Sequence, residues 1–261
     1  GAVTVTATST NPAVVPDARL SLTPLGNSRY SLAMDPVGVG YSRIHLQASD
    51  GFAIARASFD YAASRQGDSQ SRYHTWVSDA STAIPIDNDY MFVGDDENQV
   101  IRIYRRNESG DPIAGFDITP YLELTDIEDG RPREVDIEAS TRVGDRIYWI
   151  GAHSHANISE ARTNRSRVFA TDATFDGTNS TLTYVGRYDF LKLDMVNWDR
   201  ANGHGKGANY YGLEASTAEG VLPKAPDGSG FNIEGLVMAP FDPNVAYIGL
   251  RAPLVPTTTR T

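Results

Sequence analysis

The chain has 261 residues, no cysteine and a formal net charge of −10 at pH 7. The absence of cysteine excludes a disulfide framework, a thiol nucleophile and a cysteine-ligated zinc site. The excess of acidic residues argues against nucleic acid as a partner, because phosphate backbones are bound by clustered Lys and Arg. No apolar run reaches the roughly 20 residues of a membrane-spanning helix, so membrane insertion is not expected.

Residues 1–63 alternate apolar and polar side chains in the manner of β-strands. Five strands are predicted, and the last two are joined by Asp50-Gly51, a strong hairpin signal. The predicted strands lie at 3–7, 19–23, 29–33, 41–48 and 52–61. Five strands separated by such turns predict part of a β-sandwich.

The same segment resembles the C-terminal strands of a bacterial cadherin-like or Ig-like domain. The resemblance lies in residues 9–16, residues 36–41 and Asp50-Gly51. Because such domains have about seven strands, this sequence is expected to begin inside a longer natural chain. Residues 64–73 are polar and unpatterned and are predicted to be a linker.

From residue 74 onward a repeat of four short strands predicts β-propeller blades. Each unit opens on an acid followed by a small residue, at Asp79, Glu138 and Glu234. An apolar strand that closes on Gly94, Gly151 or Gly249 follows each acid. Two blades are complete in the sequence, and the third stops after its second strand. The predicted strands of the second blade lie at 134–140, 146–151, 166–171 and 182–187.

A Gly-, Asn- and Tyr-rich insertion at 189–230 separates the second blade from the third, and the best helix candidate lies within 191–202. The predicted fold class is therefore all-β. A partial Ig-like β-sandwich at 1–63 is followed by an incomplete β-propeller at 74–261.

From about residue 75 the chain resembles a family of bacterial secreted proteins known only as a domain of unknown function. The motifs that carry this resemblance are residues 92–97, 136–140, 164–167, 184–188, 202–205, 231–236 and 251–253. The resemblance implies a propeller-like fold in an extracellular or cell-surface protein, and it implies no activity. The element Ile233-Glu234-Gly235-Leu236 is also similar to one in phytase-like and esterase-like propellers.

The first strand of a propeller blade lines the central channel, so Asp79, Glu138 and Glu234 are expected to face one axial pocket. The loop residues Asp95, Asp96 and Glu97 are expected to rim the same pocket. Converging carboxylates repel one another unless a cation neutralises them, and Ca²⁺ suits oxygen ligands. The sequence therefore predicts a Ca²⁺ site, with the alternative that these acids cap strand ends or bond backbone amides.

Five further residues are candidate ligand contacts near the predicted rim: His153, His155, Arg165, His204 and Arg251. The histidines are candidate zinc ligands or loop residues with hydrogen-bonding roles. With a metal, the arginines would clamp an anionic ester, or they would pair with acids of a neighbouring blade. The aromatic residues Trp198, Tyr210 and Tyr211 would stack on a glycan or pack between blades.

The candidate residues are compatible with three different functions. The first is an extracellular binding, adhesion or assembly module with a Ca²⁺-loaded acidic pocket. The second is a metal-dependent phosphoesterase, in which Glu138 and Glu234 would hold the cation and Arg251 the substrate. The third is a structural protein that forms homo-oligomers or fibres through open sheet edges.

Overall fold

A computed structural model of the protein describes residues 3–63, 72–157, 160–223, 229–240 and 242–254. The chain divides into two compact units, Gly1–Tyr73 and His74–Thr261. The predicted linker at 64–73 falls almost entirely outside the described residues, so its character stays a prediction. No helix among the described residues is long and apolar enough to cross a membrane.

The described part of the first unit contains five antiparallel strands, as the alternation of its sequence predicted. They are β1 (Thr4–Ser9), β2 (Leu20–Gly26), β3 (Arg29–Met34), β4 (Gly40–Ser49) and β5 (Ile54–Ala63). One sheet has the order β1-β4-β5, and β2 pairs with β3 in a separate hairpin. Between β4 and β5, the Asp50 carboxylate accepts hydrogen bonds from the amides of Phe52 and Ala53. The hairpin at Asp50-Gly51 is thereby confirmed, and the likeness to an Ig-like domain stays a prediction.

The described part of the second unit is built on two four-stranded and two two-stranded antiparallel sheets, so the prediction of an all-β chain is confirmed. The first sheet contains β6 (Ala80–Pro85), β7 (Tyr90–Asp95), β8 (Val100–Arg105) and β9 (Ala114–Asp117). A short hairpin of β10 (Ile127–Glu128) and β11 (Arg131–Pro132) follows. The second sheet contains β12 (Ile137–Val143), β13 (Arg146–Gly151), β14 (Val168–Thr174) and β15 (Thr181–Tyr188).

Two helices and a strand pair complete the described part of the second unit. They are α1 (Leu191–Arg200), α2 (Leu213–Ser216), β16 (Asn232–Ala239) and β17 (Asp242–Ala252). The strands β16 and β17 pair only with each other among the described residues. The expected short helix within 191–202 is confirmed as α1.

The first strands of the three sheets, β6, β12 and β16, lie side by side. Thr82 Oγ1 and Ser140 Oγ are 2.6 Å apart across β6 and β12. The Met238 amide donates a hydrogen bond of 3.1 Å to Thr141 Oγ1 across β12 and β16. The three strands, here called the inner strands, therefore bring three sheets to one place.

The second sheet is covered on both faces. Trp149 belongs to a buried core shared with Phe92 of the first sheet, whereas Ile150 belongs to a core shared with Val196 of α1 and Ile233 of β16. Successive side chains of a strand point to opposite faces, so these two neighbours contact different layers. The packing of both faces fixes the register of β12 and β13, because a slip of one residue would exchange the two sets.

The inner strand β12 begins later than its sequence predicted. A strand at 134–140 was expected, but β12 runs from Ile137 to Val143. Asp136 has a φ of +59°, which interrupts regular strand geometry. Gly144, with a φ of +60°, then makes the turn into β13.

Candidate functional site

An acidic cavity of about 560 Å³ lies at one end of the inner strands. Seven carboxylates line it, together with two arginines and a few small or polar residues. The carboxylates are those of Asp79, Asp96, Glu97, Glu134, Asp136, Glu138 and Glu234, and the arginines are Arg165 and Arg251. The structure thus brings together Asp79, Glu138 and Glu234, which come from three different sheets.

One irregularity of pairing recurs at the same place in all three inner strands. The register shifts around Ser81 in β6, around Glu138 in β12 and around Glu234 in β16. Such a bulge leaves one residue unpaired and turns its side chain away from the regular alternation. All three bulged residues line the cavity, so the bulge orients their side chains toward it.

The residue two positions before each bulge also lines the cavity, and these residues are Asp79, Asp136 and Asn232. This register corrects the repeat that was read from the sequence, in which Asp79 was aligned with Glu138 and Glu234. The carbonyl of Asp79 accepts a hydrogen bond from the Asp96 amide, and the carbonyl of Asp136 accepts one from the Ala152 amide. The counterpart of Asp79 is therefore Asp136, and that of Glu138 is Ser81.

Glu134 and Asp136 were not among the predicted site residues. They alternate with Val135 and Ile137, which are both fully buried. The sequence carries a partial signal, because acids stand at every second position from Glu134 to Glu138. The positive φ of Asp136 and the bulge at Glu138 then decide that all three line the cavity. The run from Glu134 to Glu138 therefore contributes three carboxylates to the cavity from five consecutive residues.

The two arginines form ion pairs with three of the seven acids. Arg165 lies 2.8 Å from Glu134 and also pairs with Asp136. Arg251 pairs with Glu234 at 3.0 Å. The hydrogen bond from Arg165 lowers the pKa of Glu134, although burial opposes this shift. Arg165 therefore pairs with acids that lead into its own sheet, and not with acids of a neighbouring blade as the structural alternative expected.

Four cavity acids carry no ion pair with any described Lys, Arg or His: Asp79, Asp96, Glu97 and Glu138. Burial, together with the charges of Asp136, Glu234 and Asp96, raises the pKa of Glu138 to about 8. Burial, followed by the charges of Asp79, Asp136 and other neighbouring acids, raises the pKa of Asp96 to about 7. The cavity therefore holds more negative charge than its own cations balance.

Two buried side-chain oxygens among the described cavity residues have no hydrogen-bond donor. Asn232 is 3% exposed, and its Nδ2 donates to Glu234 Oε1 at 2.9 Å, but its Oδ1 has no partner. The buried Oδ1 of Asp96 is likewise unpartnered. Buried acceptors without a donor are rare in proteins, and both of these belong to residues that line the cavity.

The cavity is not preformed around a single metal ion. Among the described residues, no three His, Asp or Glu side chains are arranged to hold one. The carboxylates line the cavity wall without forming such a group. Their oxygens suit Ca²⁺ chemically, but they would have to move inward to coordinate it.

Asp95 lies outside the cavity lining, which corrects its predicted place on the rim. Its side chain is fully buried, and it accepts hydrogen bonds from the Glu97 amide and from Asn98 Nδ2. Arg102 lies 3.4 Å from it. Asp95 and Asp96 are neighbours, but only Asp96 turns toward the cavity, because Asp95 ends β7 and closes the following turn.

His153 and His155 also lie outside the acidic cavity, and they border a separate small one with Lys192. The Nδ1 of His153 bonds the Gly151 carbonyl at 2.8 Å, and burial lowers the pKa of His153 to about 4. His155 Nδ1 lies 3.2 Å from the carbonyl of Val221. The alternative of hydrogen-bonding roles therefore describes both residues.

His204 lies in the insertion, and it does not line the acidic cavity. Its Nε2 lies 3.0 Å from the buried Asp199 carboxylate, and its Nδ1 accepts the Lys206 amide. Trp198 and Tyr211 stack on each other beside it and line a separate apolar cavity of about 310 Å³. These residues organise the insertion and do not reach the acidic site.

Residues 79–171 match the model of a family described as a protein of unknown function, DUF3616. The match confirms, for this stretch, the resemblance to a domain-of-unknown-function family. It runs from the first sheet into β14 and includes every cavity acid except Glu234. No curated protein matches the chain.

Proposed function

We propose that the second unit is a propeller-like ligand-binding module and that its acidic cavity takes a positively charged ligand. Ca²⁺ is the metal ion that best suits the carboxylate and amide oxygens present. The module would act in adhesion, matrix or assembly on the outside of a bacterial cell. This proposal treats the cavity as a binding site and not as a site of turnover.

One observation carries the proposal. Four carboxylates without an ion pair face a cavity in which two oxygens, Asp96 Oδ1 and Asn232 Oδ1, also lack donors. Unbalanced carboxylates at such a density repel one another, and a bound cation removes that repulsion. The crowding of the unpaired acids costs stability until a ligand arrives, so a cationic ligand is the simplest reason for placing them together.

The residues that would hold Ca²⁺ are the unpaired acids Asp79, Asp96 and Glu138 with Asn232 Oδ1. Bound Ca²⁺ would supply the positive charge that the cavity lacks. Asn232 contributes an amide oxygen, which is a neutral ligand type common in calcium sites. Glu234 orients Asn232 through its hydrogen bond with Nδ2.

Isothermal titration calorimetry with calcium chloride tests the proposal on the intact chain. Binding is expected for the unchanged protein, and a loss of at least about tenfold in affinity is expected for Glu138→Gln and Asp96→Asn. Glu219→Gln removes an exposed acid outside the cavity and serves as the control. Absence of binding by Ca²⁺ and by every other cation tried would contradict the proposal.

A metal-dependent phosphoesterase is a second candidate, because Arg251 places a half-exposed guanidinium at the same cavity. A guanidinium beside a bound metal suits an anionic ester. Turnover of a phosphoester probe that requires metal and disappears in Glu138→Gln would favour the enzyme. Calcium-dependent melting without turnover favours the binding module.

Assembly through sheet edges is a third candidate. Among the described residues β17 has one strand neighbour, whereas the corresponding strands β7 and β13 have two. An unpaired edge accepts further strands. Ordered polymers that persist in the presence of a chelator would favour this function over cation binding.

A further inference from the structure

The size of the acidic cavity excludes a bare ion as a ligand that fills it. Its volume of about 560 Å³ lies in the range of roughly 300–1,000 Å³ that is typical of sites for small organic molecules. No three described His, Asp or Glu side chains meet at one point. The unpaired acids Asp79, Asp96 and Glu138 all border this volume, so one organic cation within it can contact several of them.

The side chains that line the cavity limit which class of organic cation fits it. None of the described lining residues is aromatic, and quaternary or aromatic ammonium groups are recognised by aromatic cages. Among the lining residues that the structure describes, only Ala80 and Pro223 have apolar side chains, so the methylene chain of a linear polyamine would lie against polar groups. A cation with a polar body fits this wall better.

Hydroxyl-binding groups surround the unpaired acids. Ser81, Ser154 and Asn157 line the cavity, as does Asn232 with its unpartnered Oδ1. Ser154 Oγ already accepts a hydrogen bond of 3.0 Å from Arg165, which leaves its own proton to donate. The wall therefore offers donors and acceptors to hydroxyl groups beside carboxylates that suit an ammonium group.

We propose that the ligand class of the cavity is an amino sugar that carries a free ammonium group. The inference rests on the proposed function, namely that the cavity takes a cation. The ammonium donates to the unpaired carboxylates and to Asp96 Oδ1, and the ring hydroxyls bond the serine and asparagine side chains. A sugar that lacks the ammonium leaves the unbalanced acids without a partner.

The test compares sugars of one shape and different charge. A glucosamine dimer, its N-acetylated counterpart and a glucose dimer are titrated into the full chain at neutral pH by calorimetry. We expect the glucosamine dimer to bind, and the two neutral dimers to bind at least about tenfold more weakly. Glu138→Gln and Asp96→Asn should weaken the glucosamine dimer selectively, and Glu219→Gln should leave its affinity unchanged. Circular dichroism checks that each variant is folded.

Two outcomes would overturn the inference. Equal binding of the N-acetylated dimer would show that the cavity does not recognise the ammonium charge. If ethanolamine binds as tightly as the glucosamine dimer, the cavity does not recognise the sugar ring and its hydroxyl groups. If Ca²⁺ binds but the glucosamine dimer neither binds nor competes, the proposed function stands and the inference fails. If no cation of any kind binds, both fail.

Discussion

Asp199 and the acids of the inner strands are two solutions to the problem of placing carboxylates away from water. Asp199 is fully buried and accepts hydrogen bonds from the amides of Tyr211 and Leu213 and from His204. Burial alone would raise its pKa, but these hydrogen bonds outweigh burial and lower the pKa of Asp199. Glu138 has no such partners, and its pKa is raised to about 8.

The difference teaches how to separate a structural acid from a candidate binding acid. A carboxylate whose acceptor capacity is filled by its own chain stabilises the fold. A carboxylate that is crowded by like charges and lacks donors costs stability until a ligand arrives. Removal of Asp199 and removal of Glu138 should therefore change the stability in opposite directions.

Among the changes considered, Asp199→Ala is expected to have the largest effect on the free energy of unfolding. The substitution leaves the amides of Tyr211 and Leu213 and the His204 ring without their acceptor. Loss of a buried hydrogen-bonded acid of this kind lowers the free energy of unfolding by about 3–5 kcal/mol. Urea unfolding followed by tryptophan fluorescence measures the change, because Trp198 contacts His204. An unchanged midpoint would show that the insertion does not depend on Asp199.

The pH dependence of stability should show the opposite behaviour of the cavity acids. Glu138 and Asp96 have pKa values raised to about 8 and about 7, above their ordinary values of 4.5 and 3.8. Their stabilising contribution is complete below the ordinary values and is lost as the pH rises toward 8. Without added cations, we expect a loss on the order of 1–3 kcal/mol across this window after solvent screening is allowed for. Thermal melting from pH 4 to pH 8 measures it, and a flat profile would contradict the repulsion.

Glu138→Gln removes one repelling charge and keeps the shape of the side chain. At pH 8 without cations, we expect its free energy of unfolding to rise by about 1 kcal/mol, because less like charge is left in the cavity. We expect the stabilisation by Ca²⁺ to shrink at the same time. Melting with and without calcium chloride provides both readings, and Glu219→Gln is the control. A large loss of stability would assign Glu138 the role that Asp199 has.

Among the changes considered, Arg251→Gln is expected to have the smallest effect on the free energy of unfolding. The ion pair of Arg251 with Glu234 is about half exposed, and such pairs contribute less than about 1 kcal/mol. Loss of this guanidinium makes the cavity more negative, so cation affinity should rise a few-fold. Calorimetry measures this change. A loss of cation binding would instead place Arg251 among the residues that hold the ligand.

Strand existence was predictable because alternation of apolar and polar residues is a local property. The run Arg146–Gly151, for example, becomes β13 within the predicted bounds. The correspondence of the repeats was not predictable, because Asp79 and Asp136 are matched by pairing register and not by sequence similarity. The bulges at Ser81 and Glu138 leave no distinctive residue pattern, so the sequence alignment was displaced by two positions in the first sheet.

The candidate site also has features that the sequence predicts and features that it does not predict. That acids open the repeats can be read from the sequence, because each acid precedes an apolar strand. That Glu134, Asp136 and Glu138 line one cavity cannot be read from spacing, because the positive φ of Asp136 and the bulge at Glu138 interrupt strand alternation. Which acids stay unpaired cannot be read from spacing either, because Arg165 reaches Glu134 across 31 positions and Arg102 approaches Asp95 across a turn. Charge balance depends on distances in space, and only the packing of the three inner strands sets those distances.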